Sequence, residues 1–143
     1  MEAKELQIGD WVYIFDPDYK EEKEAYKVSE IREDGIRTYM FNDTYEEDWF
    51  EPITLTPEIL ENNGFFVYMS TFSKVKTKFY SSYELLKKGI VFSVENDQDI
   101  NSFIRIDNYV VFKLNYIHEL QHLLRMCKMI DKSDNFKCHK YGI

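Results

Sequence analysis

Short runs of alternating hydrophobic and polar residues, separated by turn residues, fill the first 55 positions of the chain. The runs cover residues 6–15, 25–32, 36–41 and 49–53, a spacing typical of short β-strands. Asp34-Gly35 is a residue pair favoured in tight hairpin turns, because Gly accepts a positive φ. Four or five strands in this length predict an N-terminal β subdomain, residues 1–55, built as an SH3-like small barrel or a curled antiparallel sheet.

A capped linker helix is predicted at residues 56–64. Thr56 is a good N-cap, Pro57 suits the first helical position, and Gly64 is placed to end the helix. The alternating pattern then returns in runs that predict a second antiparallel sheet: 65–72, 75–83, 90–95, 103–106 and 109–114. Residues 82–88 fit either a strand or a helical turn, because residues 81–84 also match a capping box.

The longest segment with helical periodicity is residues 115–130. Its apolar side chains recur at spacings of 3, 4 and 3 and form one stripe: Ile117, Leu120, Leu124 and Cys127. His118 and His122 fall about opposite this stripe, so we expect both imidazoles to be solvent-exposed and without partners. We expect the apolar stripe to pack on the second sheet. The predicted fold is therefore α+β, with residues 65–131 as sheet plus C-terminal helix and residues 132–143 as an irregular tail.

The same helix contains His118-Glu119-Leu120-Gln121-His122, which matches the H-E-x-x-H pattern of zinc hydrolases. Two His four residues apart can bind Zn²⁺ from one helical face, and the Glu can activate a metal-bound water. A third protein ligand would have to come from residues without a recognised spacing: Asp131, Asp134 or His139. We therefore keep a zinc hydrolase, with Glu119 as the catalytic residue, as an alternative, and expect no cofactor.

Charge and length narrow the class of function further. The chain has 143 residues, 26 Asp or Glu and 18 Lys or Arg, which gives a net charge of −8. This balance disfavours direct binding of nucleic acid, which depends on Lys and Arg neutralising phosphates. No apolar run approaches the roughly 20 residues of a membrane-spanning helix, and the N-terminus is not a signal peptide. We expect a protein that acts in the cytoplasm and does not bind membranes.

Four phrases of the sequence, taken in order, resemble a family of short proteins from gut bacteria and their phages and prophages. They lie at residues 6–12, 34–36, 51–60 with 63–65, and 116–123, and the resemblance extends from residue 6 to about residue 130. It implies a phage or mobile-element origin and no particular activity. Family members can carry Gln at the position of Glu119 and Asn at that of His122, which implies a fold that does not depend on a metal there.

Together these observations predict a non-enzymatic protein that binds another protein inside the bacterial host cell. Its contact surface would combine aromatic side chains with an acidic loop: Trp11, Tyr45, Trp49, Glu46, Glu47 and Asp48. Such an acidic surface can speed association with a basic partner. A second alternative is an acidic decoy that inhibits a host enzyme by occupying its nucleic-acid-binding site.

Overall fold

Two antiparallel sheets and a few short helices make up the fold, so the predicted α+β class is confirmed. The computed structural model describes residues 1–19, 22–39, 43–72, 76–104 and 109–138. The chain forms two compact units. The first consists of Met1–Thr54 with Tyr116–Phe136, and the second of Leu55–Asn115 with Lys137–Ile143. The first unit is therefore discontinuous in sequence, which the predicted domain boundaries did not anticipate.

The first unit contains a four-stranded antiparallel sheet in the order β3-β2-β1-β4. Its strands are β1 (Trp11–Ile14), β2 (Glu24–Arg32), β3 (Gly35–Thr38) and β4 (Phe50–Pro52). Each of the four predicted strands is present, although β1 starts later because Gly9 has a φ of +93° in the turn before it. Among the described residues the sheet is open and closes no barrel.

Two short 3-10 helices, Ala3–Glu5 and Glu47–Trp49, border this sheet. The apolar core of the sheet combines side chains from its strands and from the segment before β1: Leu6, Val12, Val28, Ile36 and Phe50. Tyr45 and Trp49 are half-buried and pack against this core, with ring centroids 5.1 Å apart.

The second unit is a five-stranded meander in the order β5-β6-β7-β8-β9. Its elements are α1 (Pro57–Asn62), β5 (Phe66–Phe72), β6 (Lys76–Ser81), α2 (Tyr83–Lys87), β7 (Ile90–Glu95), β8 (Asp99–Ile104) and β9 (Tyr109–Leu114). The Thr56 hydroxyl accepts from the Ile59 amide at 3.3 Å, so the predicted cap of α1 is confirmed. Ser82 caps α2 in the same way, through the Leu85 amide at 3.3 Å, and the helical alternative for residues 82–88 is correct.

The C-terminal helices are α3 (Ile117–Met126) and α4 (Ile130–Asp134), and both belong to the first unit. The prediction that the late amphipathic helix lies on the second sheet is wrong, because α3 contacts β1. Its apolar stripe indicates which face is buried but not which sheet covers that face. The prediction of an irregular tail over residues 132–143 is wrong for its first part, since α4 extends to Asp134 and Phe136 is buried. Residues 139–143 of that tail lie outside the described residues. No helix in the described part of the chain is long and apolar enough to cross a membrane.

Candidate functional site

The two imidazoles of the H-E-x-x-H segment are not on a solvent-exposed face. His118 is only 6% exposed, and the His122 side chain is 23% exposed. The expectation that both imidazoles are solvent-exposed is therefore wrong. Buried positions on α3 extend beyond the apolar stripe and include Gln121, which has no exposed surface. The helix is thus enclosed on a wider arc than its hydrophobic pattern indicates.

Asp10, in the turn before β1, is the partner that the sequence did not suggest for His122. Its carboxylate is fully buried and lies 2.6 Å from Nε2 of His122. Nη1 of Arg125 donates to the other carboxylate oxygen, Oδ1, at 2.6 Å. The backbone amide of Gln7 donates at 2.8 Å to Oδ2, the oxygen that His122 contacts. Arg125 also donates to the Gln7 side chain at 2.9 Å. We call these four residues the Asp10 network.

Gly9 makes room for the Asp10 network. A Cβ at this position would lie 3.0 Å from Nη2 of Arg125, and the φ of +93° is one that side-chain-bearing residues rarely adopt. The signal in the sequence was Gly9-Asp10 directly before a strand, which indicates a bend. It does not indicate that Asp10 would be buried, or that it would pair with His122 and Arg125, more than a hundred residues later in the chain.

Gln121 makes a second set of bonds beside the Asp10 network. Its Oε1 accepts from the Trp11 amide at 2.9 Å. Its Nε2 donates to the carbonyl oxygens of Gly9 at 3.0 Å and Ser133 at 3.2 Å. The Ser133 hydroxyl returns a bond to the Gln121 carbonyl at 3.1 Å. The middle of the H-E-x-x-H segment therefore joins the start of β1 to α4.

Glu119 and His118 occupy the start of α3. Glu119 accepts from the Tyr116 amide at 2.9 Å and closes a capping box, the usual role of a Glu three residues into a helix. His118 stacks on the Tyr116 ring at 5.7 Å and meets the His122 ring edge-on at 5.6 Å. Burial lowers the pKa of His118, and the charge of Asp10 opposes this shift. Burial therefore favours the neutral form of the His118 imidazole.

These contacts can be compared with the needs of a zinc site. His118, Glu119 and His122 line one side of a cavity of about 270 Å³. Nε2 of His122 is the nitrogen that contacts Asp10, and Glu119 holds a backbone amide. Among the described residues, no three His, Cys, Asp or Glu side chains are arranged to hold a metal ion. Of the suggested third ligands, Asp131 and Asp134 lie in α4, and His139 is outside the described residues.

The predicted interaction residues separate into a buried and an exposed group. Trp11 is 7% exposed, its Nε1 donates to the Phe136 carbonyl at 2.6 Å, and Lys27 lies over its ring. Trp11 is therefore a core residue. Tyr45 and Trp49 are half-buried, and the acidic residues beside them are exposed: Glu46, Glu47 and Asp48.

The exposed acidic residues line a groove of about 470 Å³, which we call the acidic groove. Its lining combines the turn between β2 and β3 with the 3-10 helix before β4: Ala3, Arg32, Glu33, Asp34, Gly35, Glu46, Glu47 and Asp48. Glu33 and Asp34 were interpreted from sequence only as part of a hairpin turn. Their position beside residues 46–48 brings five carboxylates to one concave surface.

Gly35 is the reason that these two segments can lie side by side. The amide of Ile36 donates to the Tyr45 carbonyl at 2.8 Å, and the Tyr45 amide returns a bond at 2.9 Å. A Cβ at Gly35 would lie 2.3 Å from that same Tyr45 oxygen, and the φ of Gly35 is +149°. Glycine is therefore required for the close backbone approach that places the acidic residues together.

The acidity of the chain belongs to one of its two units. By sequence the first unit has 9 Lys or Arg against 19 Asp or Glu, a net charge of −10, and the second has 9 against 7, a net charge of +2. The groove therefore lies on the strongly negative unit.

Comparisons of the chain with protein-family models, with curated proteins and with solved structures found no significant match.

Proposed function

We propose that this protein is a non-enzymatic interaction protein whose acidic groove binds a basic segment of another protein. The observation that carries the proposal is the convergence of Glu33 and Asp34 with the acidic residues 46–48 on one concave surface. Arg32, the cation in the lining, is already paired with Glu30 at 2.8 Å. The groove therefore keeps an excess of negative charge for a ligand.

The charge of the surrounding unit supports the same partner. A net charge of −10 on the first unit attracts a basic chain over a Debye length of roughly 8 Å at physiological salt. The groove then supplies carboxylates at close range for Lys or Arg side chains, which raises the association rate and fixes the orientation. Tyr45 and Trp49 lie on either side of the acidic residues 46–48 in the sequence. Their rings contact each other and pack against the apolar core, which supports these acidic residues.

We further propose a phage or mobile-element origin and action in the cytoplasm of a bacterial host, on the strength of the sequence resemblance. The four-stranded sheet of the first unit would be a curled relative of an SH3-like barrel. A protein-binding module of that kind matches an accessory protein that alters a host protein by occupying one of its basic surfaces.

The zinc hydrolase is the weaker alternative, because the side-chain atoms that it would need already interact with other residues of the fold. The His122 nitrogen that contacts Asp10 and the Glu119 oxygen that caps α3 would both have to leave their partners. The acidic decoy differs from the favoured proposal in the site that it blocks. As a decoy, this protein would displace nucleic acid from a host enzyme. In the favoured proposal, the partner that binds the acidic groove need not be a nucleic-acid-binding protein.

A pair of charge-matched variants tests the acidic groove. Glu46→Gln with Asp48→Asn removes two charges from the groove and leaves the bond from the Ala3 amide to Glu47 intact. Asp18→Asn with Glu22→Gln removes two charges from exposed positions outside it. Each protein is titrated with an arginine-rich peptide at several salt concentrations, and tryptophan fluorescence is followed, to which Trp49 beside the acidic residues contributes.

We expect the groove variant to bind the peptide at least about tenfold more weakly, and the control variant to bind as the unaltered protein does. Equal losses in both variants would contradict the proposal, because binding would then depend on net charge alone. A pull-down from bacterial lysate with the same three proteins identifies the partner. Release of nucleic acid from a captured enzyme would favour the decoy, and one stoichiometric zinc in untagged protein would favour the hydrolase.

A further inference from the structure

The second unit has an edge strand without the charged residues and proline that commonly protect such an edge from pairing. Strand β5, Phe66–Phe72, is paired with β6 on one side. On its other side, its backbone groups have no hydrogen-bond partner among the residues that the structure describes. Val67 is 39% exposed and Met69 is 47% exposed. An edge of this kind presents unpaired amides and carbonyls to any strand that can align with them.

The sequence of β5 does little to prevent such pairing. Natural edge strands are usually shielded by charged residues, by proline, by a β-bulge, or by being very short. The seven residues of β5 include no charged residue, no proline and no glycine. The opposite edge, β9, carries the exposed Lys113. A bulge between Val67 and Met69 interrupts the register of β5 with β6, and the strand from Met69 to Phe72 is regular.

The order of side chains in β5 suits a second copy of the same strand. If two copies run antiparallel about Met69, the pairs are Phe66 with Phe72, Val67 with Thr71, and Tyr68 with Ser70. Aromatic and β-branched cross-strand pairs stabilise antiparallel strands, and no like charges face each other. The pairing is isologous, so each copy supplies the same edge and the assembly closes as a dimer.

The distribution of charge favours the same contact. Two copies meeting through their first units would each present a net charge of −10, whereas the second unit has a net charge of +2. Mutual repulsion is therefore smallest on the unit that carries β5. We propose that β5 pairs with β5 of a second copy and forms a two-fold symmetric dimer with one sheet running through both chains.

The size of the contact sets the expected affinity. One strand from each copy makes an interface at the small end of specific protein contacts. We therefore expect a reversible dimer with a Kd between about 1 µM and about 1 mM. Sedimentation equilibrium over that concentration range measures it directly.

Two substitutions of exposed methionines test the edge. Met69→Lys places two ammonium groups opposite each other at the two-fold axis, and we expect it to weaken dimerisation at least about tenfold. Met126→Lys, at a 68% exposed position of α3 in the first unit, makes the same chemical change outside β5 and should leave the dimer unchanged. Circular dichroism of both variants checks that each remains folded.

Cysteine cross-linking tests the register independently. In the proposed pairing Met69→Cys meets its own counterpart, at a distance suited to a disulfide, whereas Ser70→Cys faces Tyr68. Oxidation should therefore link the first variant into dimers far more than the second, with the unaltered protein measuring the background of Cys127 and Cys138. A monomer at about 1 mM, equal dimerisation of both lysine variants, or equal cross-linking of both cysteine variants would overturn the proposal.

Discussion

Replacing Arg125 with Met removes one cation from the Asp10 network and leaves the side chain's apolar stem in place. The Asp10 carboxylate then keeps the Gln7 amide and His122 but loses the Arg125 guanidinium at 2.6 Å, in a position with no solvent exposure. Breaking a buried pair on one side typically costs 3–5 kcal/mol. Because the Arg125 side chain is itself 17% exposed, we expect a loss near the lower limit, about 3 kcal/mol.

Tryptophan fluorescence during urea unfolding measures this loss in the relevant unit, because Trp11 and Trp49 both belong to the first unit. The matched control is Arg32→Met, which removes an exposed arginine paired with Glu30 and should lower the free energy of unfolding far less. An Arg125→Met protein that unfolds within about 1 kcal/mol of the unaltered protein would refute the reasoning. Asp10→Asn in the Arg125→Met background should recover part of the loss, because it removes the uncompensated charge.

Two further predictions concern Gly35 and His118. Gly35→Ala should lower the thermal stability of the first unit by more than the 1–2 kcal/mol expected for a positive φ alone, because its Cβ would lie 2.3 Å from the Tyr45 carbonyl oxygen. Gly89→Ala is the calorimetric control, since its φ is +74° and no atom lies within 4 Å of the added Cβ. Burial lowers the pKa of His118 below its ordinary 6.5, so the unfolded chain takes up the proton first as the pH falls. We therefore expect the free energy of unfolding of the first unit to have its full value above pH 6.5 and to decline below it. In urea titrations at successive pH values, His118→Phe should make this decline with pH shallower. An equally steep decline in the variant would contradict the prediction.

Local signals in the sequence predicted most elements of the fold. The alternation of apolar residues predicted the strands, and β7 begins and ends where the pattern indicated, at Ile90 and Glu95. Thr56 predicted α1 through capping, which involves only residues close in sequence, whereas residues 82–88 fitted either a strand or a helical turn. Strand alternation and helix capping depend on residues that are close together in the chain, so a single sequence is enough to predict them.

The partner of α3 could not be predicted, because it depends on contacts between residues far apart in the chain. An apolar stripe can be buried equally well by either sheet. The choice is made by polar residues that bond to the start of β1, chiefly Gln121 and His122. The same limit applies to the acidic groove. Residues 46–48 were recognised as an acidic cluster, but their position beside Glu33 and Asp34 depends on the backbone pairing of Ile36 with Tyr45.

The way the first unit is assembled explains why the H-E-x-x-H segment carries polar residues that become buried. The first unit is assembled from two distant parts of the chain, and closing the long intervening segment carries an entropic cost that grows with its length. His122 and Arg125 meet Asp10, and Gln121 meets the Trp11 amide, at sequence separations of 110 to 115 residues. Because buried polar groups are costly unless each is paired, these bonds select β1 over any other surface for α3. Gln121 and His122, two residues of the segment that resembles a metal-binding motif, therefore help to hold α3 against β1.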